Sequence, residues 1–115
     1  DLQKNLIRIH RNTLTLLGKP NYIQLMINPN LSVIAIKSCQ GNDCCSERIR
    51  WDILNEKSKS YELYSKSLIT IIKNAFFSNV DANKYRISGK YVDTENLIVF
   101  NITTLIELSE SEDYK

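Results

Sequence analysis

One short unit occurs twice along this chain of 115 residues, and each copy has the pattern of a strand, a helix and a hairpin. In the first copy Leu6–His10 alternates apolar and polar residues, as a half-buried strand does. A hairpin with strands at 22–27 and 31–37 turns at Asn28-Pro29-Asn30, because proline presets one backbone dihedral and asparagine tolerates positive φ. Two copies of such a unit predict a pseudo-two-fold object, since each unit buries its apolar face against the other.

The helix of each copy has recognisable ends. In the first copy Asn12 or Thr13 is expected to cap the helix, and Gly18 to stop it in a left-handed conformation. In the second copy Ser65 or Ser67 is the expected cap, and Ser78-Asn79 the expected end. The second helix carries an apolar stripe that we expect to face the core: Leu68, Ile71, Ile72, Ala75 and Phe76.

The second copy opens with the strand Tyr61–Tyr64 and closes with a predicted hairpin, whose strands are 84–88 and 97–100 around a turn at 93–96. Leu14 matches Leu68 at an offset of 54, whereas Tyr22 matches Tyr85 at an offset of 63. The difference is expected if the second copy has a longer helix or loop.

The rest of the chain lies between and after the copies, so we expect a single domain over 1–115. The first repeat covers 4–38 and the second 59–102. Between them, 39–54 is a loop followed by an extra strand at 48–54, in which Ile49, Trp51 and Ile53 share a face. A charged, serine-rich connector at 55–60 separates the halves. A short helix at 105–108 is expected before an acidic tail at 107–115.

Charge is distributed unevenly along the chain. The formal net charge is +2, but the acidic tail holds four acids and one base, so residues 1–106 carry 14 basic and 9 acidic side chains. A body at +5 permits nucleic-acid binding without requiring it. No apolar run approaches the ~18 residues that span a bilayer, and no signal-peptide pattern is present, so a cytoplasmic protein without a membrane partner is expected.

Catalytic and metal-binding signatures are missing from the sequence. The cysteines Cys39, Cys44 and Cys45 are odd in number, which argues against a disulfide framework, and zinc would need a further ligand when His10 is the only histidine. There is no glycine-rich phosphate loop and no nucleophile elbow. We therefore expect a non-enzymatic protein with no metal and no cofactor.

The order of elements resembles the AbrB/SpoVT/MraZ swapped-hairpin family. The resemblance rests on the run from Ile7 to Asn12, on Leu17-Gly18, and on the strands Tyr22–Ile27 and Val33–Lys37. In that family two modules interleave their hairpins into one barrel, either as a homodimer or, as in MraZ, from tandem modules. The resemblance covers 4–38 and, more loosely, 59–102. It implies an α+β fold of two βαββ-like repeats, forming a pseudo-two-fold sheet or swapped-hairpin barrel with two main helices.

The resemblance also implies a DNA-binding transcription regulator that uses the ends of the first strands and the helix starts. Lysine and arginine suit this role because they neutralise phosphates, and arginine can make paired hydrogen bonds to guanine. Glu62 stands where the first copy has Arg8, so the halves would contact a non-palindromic duplex. The alternative for each basic residue is a solvated strand edge. The matching positions are Lys4, Arg8, His10, Arg11, Lys57, Lys59 and Lys66.

A second hypothesis is a protein-interaction module of a phage or mobile element, such as an inhibitor of a host nuclease, polymerase or defence complex (an anti-CRISPR, for example). It follows from the small size, the mixed charge and the missing opening motif of the family, since no glycine precedes Ile7. Aromatic side chains often anchor interfaces, although packing inside the protein is the competing role for each. The candidates are Trp51, Tyr61, Tyr64 and Tyr91.

Overall fold

A computed structural model describes residues 1–2, 4–43, 45–54, 57–76 and 84–108 as a small α+β domain. Every described strand pairing in it is antiparallel. The elements in chain order are β1 (Leu6–His10), α1 (Arg11–Leu16), β2 (Tyr22–Asn28), β3 (Val33–Ser38), β4 (Glu47–Arg48), β5 (Ser60–Tyr64), α2 (Lys66–Phe76), β6 (Lys84–Arg86), β7 (Gly89–Val92), β8 (Leu97–Asn101), a 3-10 turn (Ile102–Thr104) and β9 (Ile106–Leu108).

The described strands form three sheets. The main sheet has the order β4-β2-β3-β8-β7, so the hairpins β2–β3 and β7–β8 join through β3 and β8. The first strands of the two predicted copies, β1 and β5, pair with each other as a separate two-stranded ribbon. β6 pairs with β9 in a further two-stranded sheet. The ribbon is the element on which the candidate site is built.

The core lies between the ribbon, the helices and one face of the main sheet. Its larger cluster joins Ile9 of β1 and Leu14 of α1 to Ile23, Ile36 and Ile98 of the sheet. A smaller cluster packs Leu2 against Ile69 and Ile72 of α2. Burying each large side chain stabilises the fold by about 1.5–3 kcal/mol, so these contacts hold the ribbon onto the sheet.

The end of α1 confirms the glycine prediction, whereas its start contradicts the predicted cap. Gly18 has φ +86°, and the amide of Lys19 donates to the Leu14 carbonyl at 3.0 Å, as a left-handed C-terminal stop requires. His10 is the N-cap and makes no side-chain cap bond. Because β1 runs straight into α1, Asn12 and Thr13 already lie inside the helix.

The start of α2 is as predicted, but its apolar stripe is shifted. The Ser65 hydroxyl accepts a hydrogen bond from the Leu68 amide at 3.2 Å. Ile69 and Ile72 are the buried residues of the helix, whereas Ile71 is 51% exposed. The predicted stripe was therefore wrong at Ile71, because the helix packs through the face that holds Ile69. The predicted end at 78–79 lies outside the described residues.

In the second hairpin the turn at 93–96 and the strand at 97–100 are as predicted, but its first strand and the last helix were predicted wrongly. β8 pairs with Gly89–Val92 rather than with 84–88, and Lys84–Arg86 pairs instead with Ile106–Leu108, where a helix was expected. A Cβ at Gly89 would stand 2.5 Å from a methyl of Ile98 and 2.7 Å from the Phe100 ring. Glycine at position 89 therefore lets β7 approach β8 closely, so that β8 pairs with residues 89–92 and not with the predicted strand 84–88.

The extra strand predicted at 48–54 is confined to its first residue. Only Glu47–Arg48 pairs with β2, after which the chain turns, and the amide of Leu54 donates to the Trp51 carbonyl. Leu54 is buried and Ile53 is 64% exposed, so the expected alternation ends there. The Trp51 indole N–H donates to the Pro20 carbonyl at 2.7 Å, which ties this segment to the end of α1.

Two parts of the predicted organisation lie partly outside the described residues: the connector at 55–56 and the acidic tail from 109 onward. Among the residues that are described, no helix combines the length and the apolar character needed to cross a bilayer.

Candidate functional site

The ribbon of β1 and β5 has one apolar and one largely polar face. Ile7 pairs with Leu63 and Ile9 with Tyr61, and these side chains pack on the core. The alternate residues form the other face, because successive strand side chains point to opposite sides. The residues of this polar face, apart from the buried Leu6, are Arg8, His10, Ser60, Glu62 and Tyr64.

An ion pair occupies the centre of the polar face. Arg8 lies directly opposite Glu62 in the register, and its Nε is 3.3 Å from a carboxylate oxygen of Glu62. The two side chains are 38% and 46% exposed, so solvent screens the attraction. An exposed pair of this kind contributes about 0.2–1 kcal/mol. Glu62 thus balances the charge of Arg8 without removing it from solvent.

The remaining predicted cations collect at the two ends of the ribbon. At one end the Arg11 amide donates to the Lys59 carbonyl at 2.9 Å, and the Arg11 guanidinium donates to the Ser58 carbonyl at 3.3 Å. At the other end the amide of Ser65 donates to the Asn5 carbonyl at 2.9 Å.

These backbone bonds decide which cations become neighbours. Lys57 and Lys59 lead into β5 beside Arg11 and the exposed His10, whereas Lys4 and Lys66 flank the bonded residues of the opposite end. Two of the seven predicted residues, Arg8 and His10, therefore lie within the ribbon, and the other five lie within three residues of the ends of its strands.

A groove of about 710 Å³ runs along β1, and every residue of that strand lines it. The main sheet contributes Ile34 and Phe100 to its lining, and α2 contributes Ile69. Lys84 and Arg86 of β6 line the same groove. These two cations extend the basic surface beyond the ribbon and were not predicted, although the alternation of Lys84, Tyr85 and Arg86 is a strand signal.

The aromatic candidates for a protein interface divide into two groups. Trp51 and Tyr91 pack against the larger core cluster, and Tyr61 is a buried member of it whose hydroxyl donates to the Arg48 carbonyl at 3.2 Å. Tyr64 is 66% exposed on the polar face of the ribbon. Packing inside the protein thus accounts for three of the four aromatic residues.

Cysteines and carboxylates do not assemble a metal centre in the described part of the chain, where no group of three or more suitable ligands occurs. Partial burial, followed by the nearby Asp43 carboxylate, raises the pKa of the Cys39 thiol, so this thiol is less reactive than an ordinary one. Hydrogen bonding from Arg50 lowers the pKa of the Asp52 carboxyl, which is 2.8 Å from that guanidinium. This second exposed ion pair lies outside the ribbon.

Comparison with models of known protein families, with curated proteins and with solved structures gives no match.

Proposed function

We propose that this chain is a tandem swapped-hairpin module that binds duplex DNA through the polar face of the β1–β5 ribbon. The observation that carries the proposal is the gathering of distant cations at both ends of an isolated two-stranded ribbon. A non-enzymatic regulator of the AbrB-like type is the class that this arrangement favours.

The register of the ribbon supports a two-fold relation between the halves. Arg8 and Glu62, which are 54 residues apart, pair with each other, so an axis through this pair exchanges β1 and β5. The same exchange maps the bond from Arg11 to Lys59 onto the bond from Ser65 to Asn5. A two-fold rotation about this axis therefore relates residues that are 54 apart in sequence, which is the offset between Leu14 and Leu68.

The two hairpins support the same relation. Asn28 pairs with Val33 and Val92 pairs with Leu97, so each pair closes a turn of the same length. The last residue of each turn has positive φ, Ser32 at 54° and Asn96 at 50°. β3 and β8 then pair antiparallel, as two interleaved hairpins related by an axis would.

The ribbon has the dimensions that a DNA groove accepts. The major groove is about 12 Å wide and admits a two-stranded β-ribbon, and strands lie about 4.8 Å apart. The ends marked by Asn5 and Arg11 are separated by six residue steps, or roughly 20 Å. Cations at both ends would contact phosphates, while Arg8 at the centre would face base edges, as would His10 and Ser60 in the last pair of the ribbon.

Fluorescence anisotropy with a labelled duplex at several salt concentrations tests the proposal. The double variant Lys59→Gln with Lys66→Gln removes one cation from each end of the ribbon. If both contact phosphates, the slope of log affinity against log salt should become shallower by about 1.8. The control, Lys37→Gln with Lys90→Gln, changes the net charge equally on strands of the main sheet.

Two results would contradict the proposal that the ribbon binds DNA. Equal losses in both double variants would mean that only net charge matters. Binding without salt dependence in the wild type would mean that phosphate contacts do not contribute.

A further inference from the structure

Two opposite charges stand side by side at the centre of the ribbon. Arg8 and Glu62 form the third of its five cross-strand pairs. The Arg11 amide donates to the Lys59 carbonyl, which marks that pair as hydrogen-bonded. Because bonded and non-bonded pairs alternate, the pair of Arg8 with Glu62 is of the non-bonded kind, in which the Cα atoms are about 4.5 Å apart. The two side chains therefore leave the polar face next to each other.

The Arg8–Glu62 pair presents hydrogen-bond donors beside an acceptor. The Arg8 Nε donates to a carboxylate oxygen of Glu62 at 3.3 Å, and both side chains reach solvent. A guanidinium carries five N–H donors in a rigid fork, whereas an ionised carboxylate only accepts. Their ion pair occupies one donor and one lone pair, so a ligand that lies across both side chains meets donors at Arg8 and an acceptor at Glu62.

A G·C base pair carries the complementary pattern in the major groove. Guanine offers the acceptors N7 and O6, and cytosine offers the amino donor N4 beside them. An A·T pair instead places the adenine amino donor between two acceptors. Against the ribbon, this donor would face the guanidinium of Arg8 and the thymine O4 would face the carboxylate of Glu62, so buried polar groups would be left unpaired.

The carboxylate at the centre of the ribbon needs a donor from the DNA. Phosphates repel Glu62, and the amino groups of cytosine and adenine are the donors that the bases offer in the major groove. Because Arg8 beside it can make paired hydrogen bonds to guanine, the cytosine paired with that guanine supplies the donor. We infer, on the basis of the proposed DNA binding, that Arg8 and Glu62 together read a single G·C base pair at the centre of the bound site.

The rest of the polar face sets where a second base pair is read. Same-face pairs follow each other at about 6.8 Å along the ribbon, since strands rise about 3.4 Å per residue. Base pairs are about 3.4 Å apart along the duplex, so one such interval spans two base-pair steps. His10 and Ser60 take the position on one side of the centre, whereas Tyr64 and the buried Leu6 take that on the other. A polar readout position therefore lies two base pairs from the G·C pair on one side only.

Selection from random duplexes, followed by anisotropy, tests the inference. A library with about 12 random base pairs, slightly more than one turn of the duplex, is bound at about 50 mM salt, and the bound duplexes are recovered by gel shift and sequenced. The wild type should enrich one G·C pair above every other position. Changing only that pair to A·T in the selected duplex should weaken binding about 5- to 150-fold.

Variants of the pair separate base reading from phosphate contact. Arg8→Lys keeps the charge but loses the paired hydrogen bonds, so it should lose most of the preference and retain the wild-type salt slope. Glu62→Gln should bind both duplexes more tightly but prefer G·C less, because an amide also donates. The matched control is Arg50→Lys, in the exposed ion pair with Asp52 outside the ribbon, and it should change neither quantity. Far-UV circular dichroism checks that each variant is folded.

Salt-dependent binding that enriches no G·C pair would overturn the inference and leave the proposed DNA binding standing, as would a G·C preference that Arg8→Lys retains in full. Binding without salt dependence, or no binding to any duplex, would overturn both the inference and the proposed function. The salt slope of the wild type therefore distinguishes the two failures.

Discussion

Replacing Glu62 by glutamine is the sharpest test of how the ribbon uses its charges. Glu62 is the one carboxylate on the polar face of the ribbon, and it lies 3.3 Å from the Nε of Arg8. Because both side chains are more than a third exposed, losing this ion pair should change the free energy of unfolding by less than about 1 kcal/mol. The variant should therefore fold and can be compared directly with the wild type.

The expected effect on DNA binding is a gain. Glu62→Gln raises the net charge of the ribbon by one and removes the carboxylate that lies opposite Arg8. Each phosphate neutralised adds about 0.9 to the magnitude of the slope of log affinity against log salt. The variant should bind more tightly at 50 mM salt, and its advantage should shrink about 3.5-fold by 200 mM.

The matched control is Asp52→Asn, which removes an exposed carboxylate from the Arg50 ion pair outside the ribbon. It changes the net charge of the chain by the same amount. Fluorescence anisotropy over a salt series measures both variants on one duplex. If Asp52→Asn gains as much as Glu62→Gln, or if Glu62→Gln weakens binding, the reasoning about the ribbon is refuted.

Three further predictions concern stability and ionisation. Gly89→Ala should destabilise the fold by about 1–3 kcal/mol in urea unfolding, because its Cβ would overlap the side chains of the buried Ile98 and of Phe100. Gly41→Ala should cost less, because its Cβ would meet only the outer end of the half-buried Tyr22 ring, at 2.8 Å, and that ring can shift. Trp51→Phe should cost about 0.5–1.5 kcal/mol by circular dichroism, since its 2.7 Å hydrogen bond is lost; an unchanged midpoint would contradict this. Arg50→Gln should raise the pKa of Asp52 towards its ordinary value in a carboxyl NMR titration. In the wild type the Arg50–Asp52 pair stabilises the folded protein at pH values above the ordinary pKa of an aspartate. This contribution disappears as the pH falls through the lowered pKa of Asp52.

The structure of residues 4–38, the first predicted copy, was predictable because its signals are local. β1, β2 and β3 alternate over five to seven residues, and a proline turn and a glycine stop separate them from their neighbours. The stop at Gly18 needs only its own backbone conformation and hydrogen bonds within one helical turn. Such features depend on residues close in sequence, so a single chain reveals them.

Residues 59–102, the second predicted copy, were less predictable because their pairings are long-range. β6 and β9 have three residues each, and nothing in either sequence indicates that these two strands pair with each other. In α2 the apolar residues Ile69, Ile71 and Ile72 lie close together, so the periodicity allowed two faces, and contact with Leu2 decides between them. Lys84 and Arg86 were missed as groove residues for the same reason, since the position of β6 depends on a distant strand.

The two predicted copies differ most at the insertion 39–54, which follows only the first of them. Ile49 and Leu54 of that insertion are buried in one cluster with Tyr61 of β5 and Ile23 of β2, so packed side chains lie along the β5 side of the ribbon. Along β1 the chain instead leaves a groove lined by Gly89 and by the cations of β6. If the two halves descend from one unit, the insertion fills the space beside β5, whereas the corresponding space beside β1 remains open as the groove. The open space lies on the side where Arg8 and His10 are exposed. If the ribbon binds DNA as proposed, this asymmetry would favour a duplex without two-fold sequence symmetry.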